Sequence, residues 1–327
     1  MQASPASPET PGTNAATTAD LPSPDAAAMA AAAASTAITE PLPKVRTSPL
    51  ALVRDLPASA RDGAGDQATS AEALAESIYL SVVIPAYNEQ ERIADSLYKV
   101  KAYLSAQPYR SEIIVVDDGS ADLTTEVVKT IDIYGKEIHE QAPGELMENI
   151  KNVGKGFSIA RGMLRARGQI VLFTDADLST PIEEIERLLP HFSAGHAVVI
   201  GSRKAPDAVV APKPLLRRLM SKTLNVFVQL LTVPGIQDTQ CGFKAYRRDT
   251  AHRLAILQRI YGFAFDMEHL YIARRLGLPI KEVGVRWTHC EGSKVHPIRD
   301  SYRMFRDMLK IRFYHRKLRP AQRPDDA

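Results

Sequence analysis

The chain has 327 residues, 41 Lys and Arg against 38 Asp and Glu, and a formal net charge of +3. That length suits two average domains, or one larger α/β domain with a tail, and so small a charge gives no sign of a nucleic-acid partner. The two cysteines, Cys241 and Cys290, make neither a CxxC nor a metal-ligand spacing, and no uncharged apolar run is long enough to mark a membrane span.

Residues 1–77 are rich in Ala, Pro, Ser and Thr and almost free of aromatic or large β-branched side chains. Such a segment cannot bury enough apolar surface to offset its chain entropy, so a disordered tail without chemistry is expected. No basic residue precedes Lys44, so the charged start of a signal peptide is missing.

Three regions follow from this reading: the tail 1–77, a catalytic-size folded domain 78–298 and a basic amphipathic helix with a short tail at 299–327. The folded part opens with a strand pattern, Ile78–Pro85, closed by its proline. Ala86-Tyr87-Asn88-Glu89 reads as a turn. Glu89–Ala106 reads as a helix, with Ile93, Leu97, Val100 and Leu104 at helical spacing. A second β-branched run, Glu112–Val116, ends in Asp117-Asp118-Gly119-Ser120, and a short helix is predicted at Asp122–Thr130. Lys136–Glu140 is a weak third strand. Asn152–Gly156 is a glycine loop that leads into a helix at Phe157–Arg167.

The next stretch, Ile170–Thr174, is a short apolar run that meets Asp175-Ala176-Asp177 and then Leu178-Ser179-Thr180-Pro181. It reads as a buried strand ending in two carboxylates one residue apart. Two hard oxygen donors at i and i+2 on a turn can meet at one Mg²⁺ or Mn²⁺ ion. Asp, Ser, Thr and Pro in this order equally suit the start of a helix, and the stretch alone leaves both readings open.

Ala197–Arg203 is a fifth strand. Pro212–Leu231 reads as a basic amphipathic helix, Gly235–Gln240 as a loop, Cys241–Tyr246 as a strand, and Arg247–Gln258 and Asp266–Leu276 as helices. Pro279–Trp287 is a strand, and Arg299–Leu318 is a strongly basic helix. The alternation of strand, loop and helix predicts βαβ units and an α/β fold with a mostly parallel sheet. Right-handed crossovers then carry Pro85–Glu89, Asp117–Ser120, Asp175–Asp177 and Arg203 to one rim.

The stretches VVIPAYNEQERI, IIVVDDGSADLT, NVGKGFSIARGMLRARG and VLFTDADLSTP, in this order, resemble glycosyltransferase family 2 with a GT-A (Rossmann-like) fold. The later VIGSR, DTQCGFKAYRR, FAFDMEHLYIARRLG and VRWTHCEGSK resemble the dolichyl-phosphate β-glucosyltransferase and polyprenyl-phosphate glycosyltransferase branch. The resemblance spans about Leu80 to Lys294. It implies an inverting, metal-dependent transferase that takes a nucleotide sugar, UDP-glucose by the branch, and delivers the hexose to a lipid phosphate.

Carried onto this chain, the resemblance puts Pro85, Ala86, Tyr87 and Glu89 at the nucleoside pocket, with Tyr87 near the base. Asp117 and Asp118 meet the uridine, and Lys155 adds positive charge near base or phosphate. Asp175 and Asp177 become the metal-binding DxD, with Asp175 also at the donor. Arg203 offers its planar fork to the donor phosphates. Asp238 stands where the family carries its candidate general base. A phosphate monoester is already largely ionised at neutral pH, with a second pKa of about 6, so for a lipid phosphate Asp238 is expected to position rather than to take a proton. Arg218 and Lys294 are expected to hold the acceptor phosphate.

The basic helices, with apolar stripes beside Lys and Arg, suit either an anionic membrane surface or packing on the sheet. Eukaryotic relatives carry an N-terminal membrane anchor where this chain has its Ala/Pro-rich tail. A soluble enzyme or one peripheral on the cytoplasmic face of a membrane is therefore expected, and a different sugar or a soluble acceptor stays open beside the lipid phosphate. Two other readings of the paired aspartates exist. Phosphatases of the haloacid-dehalogenase type also place aspartates at i and i+2, but on their first strand, not their fourth. A non-catalytic nucleotide-sugar-binding module would have less need of two convergent carboxylates.

Overall fold

The computed structural model describes residues 78–131, 144–210, 233–288 and 297–319. Within them the chain alternates strands and helices: β1 (Leu80–Ala86), α1 (Ile93–Ser105), β2 (Ser111–Asp117), α2 (Thr124–Thr130), β3 (Glu145–Glu148), α3 (Lys155–Arg165) and β4 (Ile170–Thr174). A 3₁₀ turn (Ile182–Glu184) and two single-turn helices, α4 (Ile185–Leu188) and α5 (Pro190–Ser193), lead to β5 (Val198–Ser202) and β6 (Val209–Val210). Then come β7 (Phe243–Arg247), α6 (Arg248–Leu257), α7 (Phe265–Arg275), β8 (Ile280–Gly284), β9 (Arg286–Trp287) and α8 (Pro297–His315).

The main sheet has seven strands in the order β3-β2-β1-β4-β7-β5-β8. All pairings are parallel except the two made by β7, which runs antiparallel to β4 and β5. This is the GT-A arrangement, a mostly parallel sheet with helices on both faces. Strands β1, β2 and β4 are buried along their whole length, as strands covered on both faces must be. One core gathers Leu80, Val82 and Ile84 of β1 with Ile93, Leu97, Val100 and Leu104 of α1. The other gathers Val83, Ile114 and Phe173 with Ile159 and Met163 of α3 and Leu254 of α6. Alternate residues of one strand thus feed opposite cores, and each fully buried aliphatic chain contributes about 1.5–3 kcal/mol.

The strand beside β2 is Glu145–Glu148, a half-buried edge strand whose sequence shows no strict apolar alternation. The strand expected at Lys136–Glu140 and the helix expected at Pro212–Leu231 lie outside the described residues, as does the tail 1–77. Helix α3 begins two residues earlier than its apolar pattern suggests, at Lys155 directly after Gly154. Among the described residues no helix is long and apolar enough to cross a membrane.

Strand β7 decides what the rim carries. The parallel strands bring their C-terminal ends there, whereas antiparallel β7 brings its N-terminal lead-in. The pairing of Phe173 with Lys244 and of Thr174 with Phe243 sets Gly242 beside Asp175.

Candidate active site

A cleft of about 400 Å³ opens at this rim. Its lining comes from the β1 exit (Pro85, Ala86, Tyr87, Glu89, Arg92), from Asp118, from Asn152, Gly154 and Lys155 at the start of α3, from Asp175-Ala176-Asp177, and from Gly262 and Phe263. Five chain segments that are distant in sequence therefore meet where an open α/β sheet places its ligands.

The β1 and β2 exits are stitched together. Asn88, in a left-handed conformation at φ 54°, donates its N–H to Ser120 Oγ at 2.9 Å, and its Oδ1 accepts the Ala121 N–H at 2.8 Å. The Glu89 N–H donates to Thr124 Oγ1 at 2.7 Å. The Glu89 carboxylate is paired with Arg92, one turn along the same stretch. Arg92 is a cleft residue that sequence reasoning did not single out; the i, i+3 spacing from Glu89 was its only signal.

The two aspartates after β2 part company. Asp117 is 2 % exposed and holds the turn, accepting the Ser120 N–H at 2.9 Å and the Ser120 hydroxyl. It does not appear in the cleft lining. Asp118 does, and it accepts hydrogen bonds from Asn149 Nδ2 (2.7 Å), the Val153 N–H (3.0 Å) and the Gly154 N–H (2.8 Å). Asp118 thereby fixes the glycine loop. Gly154 has φ +121°, and a Cβ there would lie 2.4 Å from the Tyr261 carbonyl oxygen, so only glycine fits.

That loop delivers Lys155. Its Nζ lies 2.5 Å from Asp175 Oδ1 and 5.2 Å from the Phe173 ring centroid. Burial alone would lower the Lys155 pKa, but Asp175, Asp266 and Asp177 together raise it, so the ammonium stays charged. Asp175 and Asp177 are carried by a tight turn in which the Leu178 N–H donates to the Asp175 carbonyl at 3.1 Å. Leu178 sits at φ 45°, a strained setting for a branched residue that costs on the order of 1–2 kcal/mol. Asp177 Oδ1 accepts the Ser179 N–H at 3.0 Å.

Asp238 and Arg203 face each other rather than the cleft. Arg203 donates to Asp238 from Nε (2.7 Å), from its terminal nitrogen (2.8 Å) and from its backbone N–H (2.9 Å). Burial alone would raise the Asp238 carboxyl, but the Arg203 hydrogen bonds and charge hold it well below the usual carboxylate range. The fork expected at the donor phosphates is thus engaged by Asp238, with the guanidinium 5.6 Å from the Trp287 ring. The lead-in is anchored from behind, where Glu282 accepts the N–H groups of Gln237 and Asp238, both at 2.8 Å. Arg218 and Lys294 lie outside the described residues.

Behind the cleft, Lys244 of β7 is fully buried and donates to Asp266 at 2.7 Å and to the Cys241 carbonyl. Its Nζ lies 5.7 Å from the ring of Phe173, the same ring that Lys155 approaches. Neither Lys244 nor Asp266 stands out in sequence, since a charged residue in a short strand or at a helix start reads as solvated. Among the described residues no cluster of three or more His, Cys, Asp or Glu side chains is assembled to hold a metal by itself. The DxD pair fits a cation of the Mg²⁺ or Mn²⁺ kind on other grounds: such ions accept one or two carboxylates and complete their shell with substrate phosphate and water.

Comparison with known proteins agrees with this fold. The profile of Glycosyl transferase family 2 matches residues 81–254. The dolichyl-phosphate beta-glucosyltransferase of Dictyostelium discoideum is 38 % identical over 251 residues, covering 73 % of this chain and 75 % of that protein. The human protein of that name is 36 % identical over 246 residues, covering 71 % and 74 %, and the Saccharomyces cerevisiae one is 33 % identical over 252 residues, covering 72 % and 75 %. In fold the chain is similar to glucosyl-3-phosphoglycerate synthase from Mycobacterium tuberculosis in complex with Mn²⁺, UDP-glucose and phosphoglyceric acid. There the TM-score is 0.53 at 19 % identity, covering 76 % of this chain and 84 % of the other. It is similar also to mannosyl-3-phosphoglycerate synthase from Rubrobacter xylanophilus, with a TM-score of 0.52 at 19 % identity, covering 76 % and 78 %. The chain belongs to glycosyl transferase family 2, among the relatives of the dolichyl-phosphate beta-glucosyltransferases.

Proposed function

We propose that this glycosyltransferase moves glucose from UDP-glucose to a polyprenyl or dolichyl phosphate. The observation that carries the reading is the meeting of Asp118, Lys155, Asp175 and Asp177 at one cleft, in a chain whose relatives bear that activity in their names. An acceptor phosphate oxygen attacks the anomeric carbon in line, the bond from that carbon to the UDP oxygen breaks, and UDP departs with the electron pair. The sugar is inverted.

Each residue has a distinct task in this reading. Pro85, Ala86, Tyr87 and Asp118 bound the nucleoside end of the cleft. Lys155 brings a fixed positive charge to the diphosphate, and its pairing with Asp175 keeps it oriented until a phosphate competes for it. Asp175 and Asp177 would hold Mg²⁺ or Mn²⁺, and such an ion, when bound, offsets the charge that grows on the leaving diphosphate. Asp238 acts as a positioning group: its proton affinity is too low for a base, and an ionised phosphate acceptor requires none. Arg203 is the partner that keeps it so. Arg218 and Lys294 remain the basic residues proposed for the acceptor phosphate.

The acceptor's lipid chain calls for a membrane surface. Helix α8 offers Phe305, Leu309 and Phe313 as an exposed stripe at i, i+4 and i+8, with Arg306, Arg312 and Arg316 exposed around it. That pattern supports peripheral binding to an anionic, cytoplasmic membrane face. The deciding experiment incubates purified protein with radiolabelled UDP-glucose or GDP-mannose, with Mn²⁺ or Mg²⁺, with and without polyprenyl phosphate. Label should enter the lipid extract with UDP-glucose, and only when polyprenyl phosphate is present. Transfer from GDP-mannose alone, or to a water-soluble acceptor alone, would overturn the reading.

A further inference from the structure

Helix α8 is the last described element, and its inner face packs beside the wall of the donor cleft. Met308 and Ile311 of α8 pack in one apolar cluster with Ile260 and Ala264, the residues on either side of the cleft-lining Gly262 and Phe263. Polar contacts run alongside. His315, at the end of α8, is 4 % exposed, and its Nε2 donates to Glu268 Oε1 at 2.6 Å. Glu268 is fully buried on α7, and its carboxylate also accepts the backbone N–H groups of Arg259 (3.0 Å) and Ile260 (2.8 Å).

The loop so held reaches Lys155's own turn. The Tyr261 carbonyl accepts the Gly156 N–H at 2.8 Å, and Gln258 Nε2 donates to the Gly156 carbonyl at 2.8 Å. Gln258 is fixed in turn by His269, whose Nε2 lies 2.7 Å from Gln258 Oε1. Burial drives the His269 pKa down to about 3, so this ring is a permanent neutral donor. Arg275 completes the clamp by donating to the Leu318 carbonyl just past α8.

We propose that α8 is a donor-affinity element: through His315 and Glu268 it sets the 258–263 loop that closes the nucleotide-sugar cleft. Binding at the cleft and docking of the final turns of α8 are then linked, each favouring the other by the same factor. The proposal rests on the cleft taking a nucleotide sugar. It makes His315 and Glu268 positioning residues, since neither lines the cleft.

The test uses the whole protein with UDP and Mn²⁺ as the probe. Saturating UDP should slow hydrogen exchange at 259–263 and also in the last turn of α8. His315→Ala should weaken UDP binding about fivefold or more, while His315→Gln, which still offers an N–H to Glu268, should stay nearer to wild type. UDP binding that leaves exchange in α8 unchanged would overturn the link, as would a folded His315→Ala protein that binds UDP like the wild type. Wild-type protein that binds no UDP would overturn the donor reading and the link with it.

Discussion

The Asp175 carboxylate lies directly over the α-carbon of Gly242: a Cβ built on that glycine would stand 1.9 Å from Asp175 Oδ2. Any side chain at 242 must push the first DxD carboxylate aside. Gly242→Ala is therefore expected to lower kcat/KM by about 100-fold, the usual cost of a displacement near 1 Å in a reacting site. Thermal unfolding should change much less than activity. A kinetic measurement with a Mn²⁺ titration checks this, and near-normal turnover would show that Asp175 can move without loss.

Asp175→Asn and Asp177→Asn should each reduce transfer at least about 100-fold, as loss of one group that stabilises the leaving charge does. A chelator should abolish wild-type activity, and added Mn²⁺ or Mg²⁺ should restore it. Turnover that survives chelation and both substitutions would remove the cation from the reaction.

Lys155→Met should act on the donor. A hydrogen bond to a charged group contributes about 1.5–3 kcal/mol, which is roughly 10- to 150-fold in affinity. The loss should appear in UDP-glucose binding, measured by calorimetry, with acceptor binding unchanged.

The Asp238–Arg203 pair makes a prediction about pH. The folded-state pKa of Asp238 is depressed, so its contribution to stability is fully present above the unfolded value of about 3.9 and is lost as pH falls below it. Asp238→Asn leaves the part-buried Arg203 without its ionic partner, which should destabilise the protein by about 3 kcal/mol at pH 7. The gap between variant and wild type should shrink in strong acid. Urea unfolding at neutral and low pH measures both. In the pH–rate profile any acid limb should fall near pH 6, about where the acceptor phosphate takes its second proton, and not where Asp238 titrates.

Lys244→Met alone would leave Asp266 buried without its partner and should cost about 3–5 kcal/mol. The double variant Lys244→Met with Asp266→Leu should recover much of that stability, because the uncompensated charge is gone. A double-mutant cycle by thermal unfolding reads the coupling directly.

Much of this protein was legible in its sequence because it depends on local pattern. Short β-branched runs closed by Asp, Gly or Pro specified β1, β2, β4 and β5, and the crossovers required between parallel strands put their exits on one rim. Residues at those exits, Pro85, Ala86, Tyr87, Glu89, Asp118, Asp175 and Asp177, are identifiable for the same reason, and together with Lys155, which the resemblance singled out, they line one cleft. Tertiary structure decided what depends on strand direction and on distant partners. Antiparallel β7 pairs with β4 so that Gly242 comes under Asp175, and no feature of the Cys241–Tyr246 run states that direction. Arg203 is drawn to Asp238 and Lys244 to Asp266, because a buried charge or polar group is stable only beside its complement. Which complement lies within reach is set by the packed sheet, across separations of 35 residues in one case and 22 in another, beyond what a local pattern can encode.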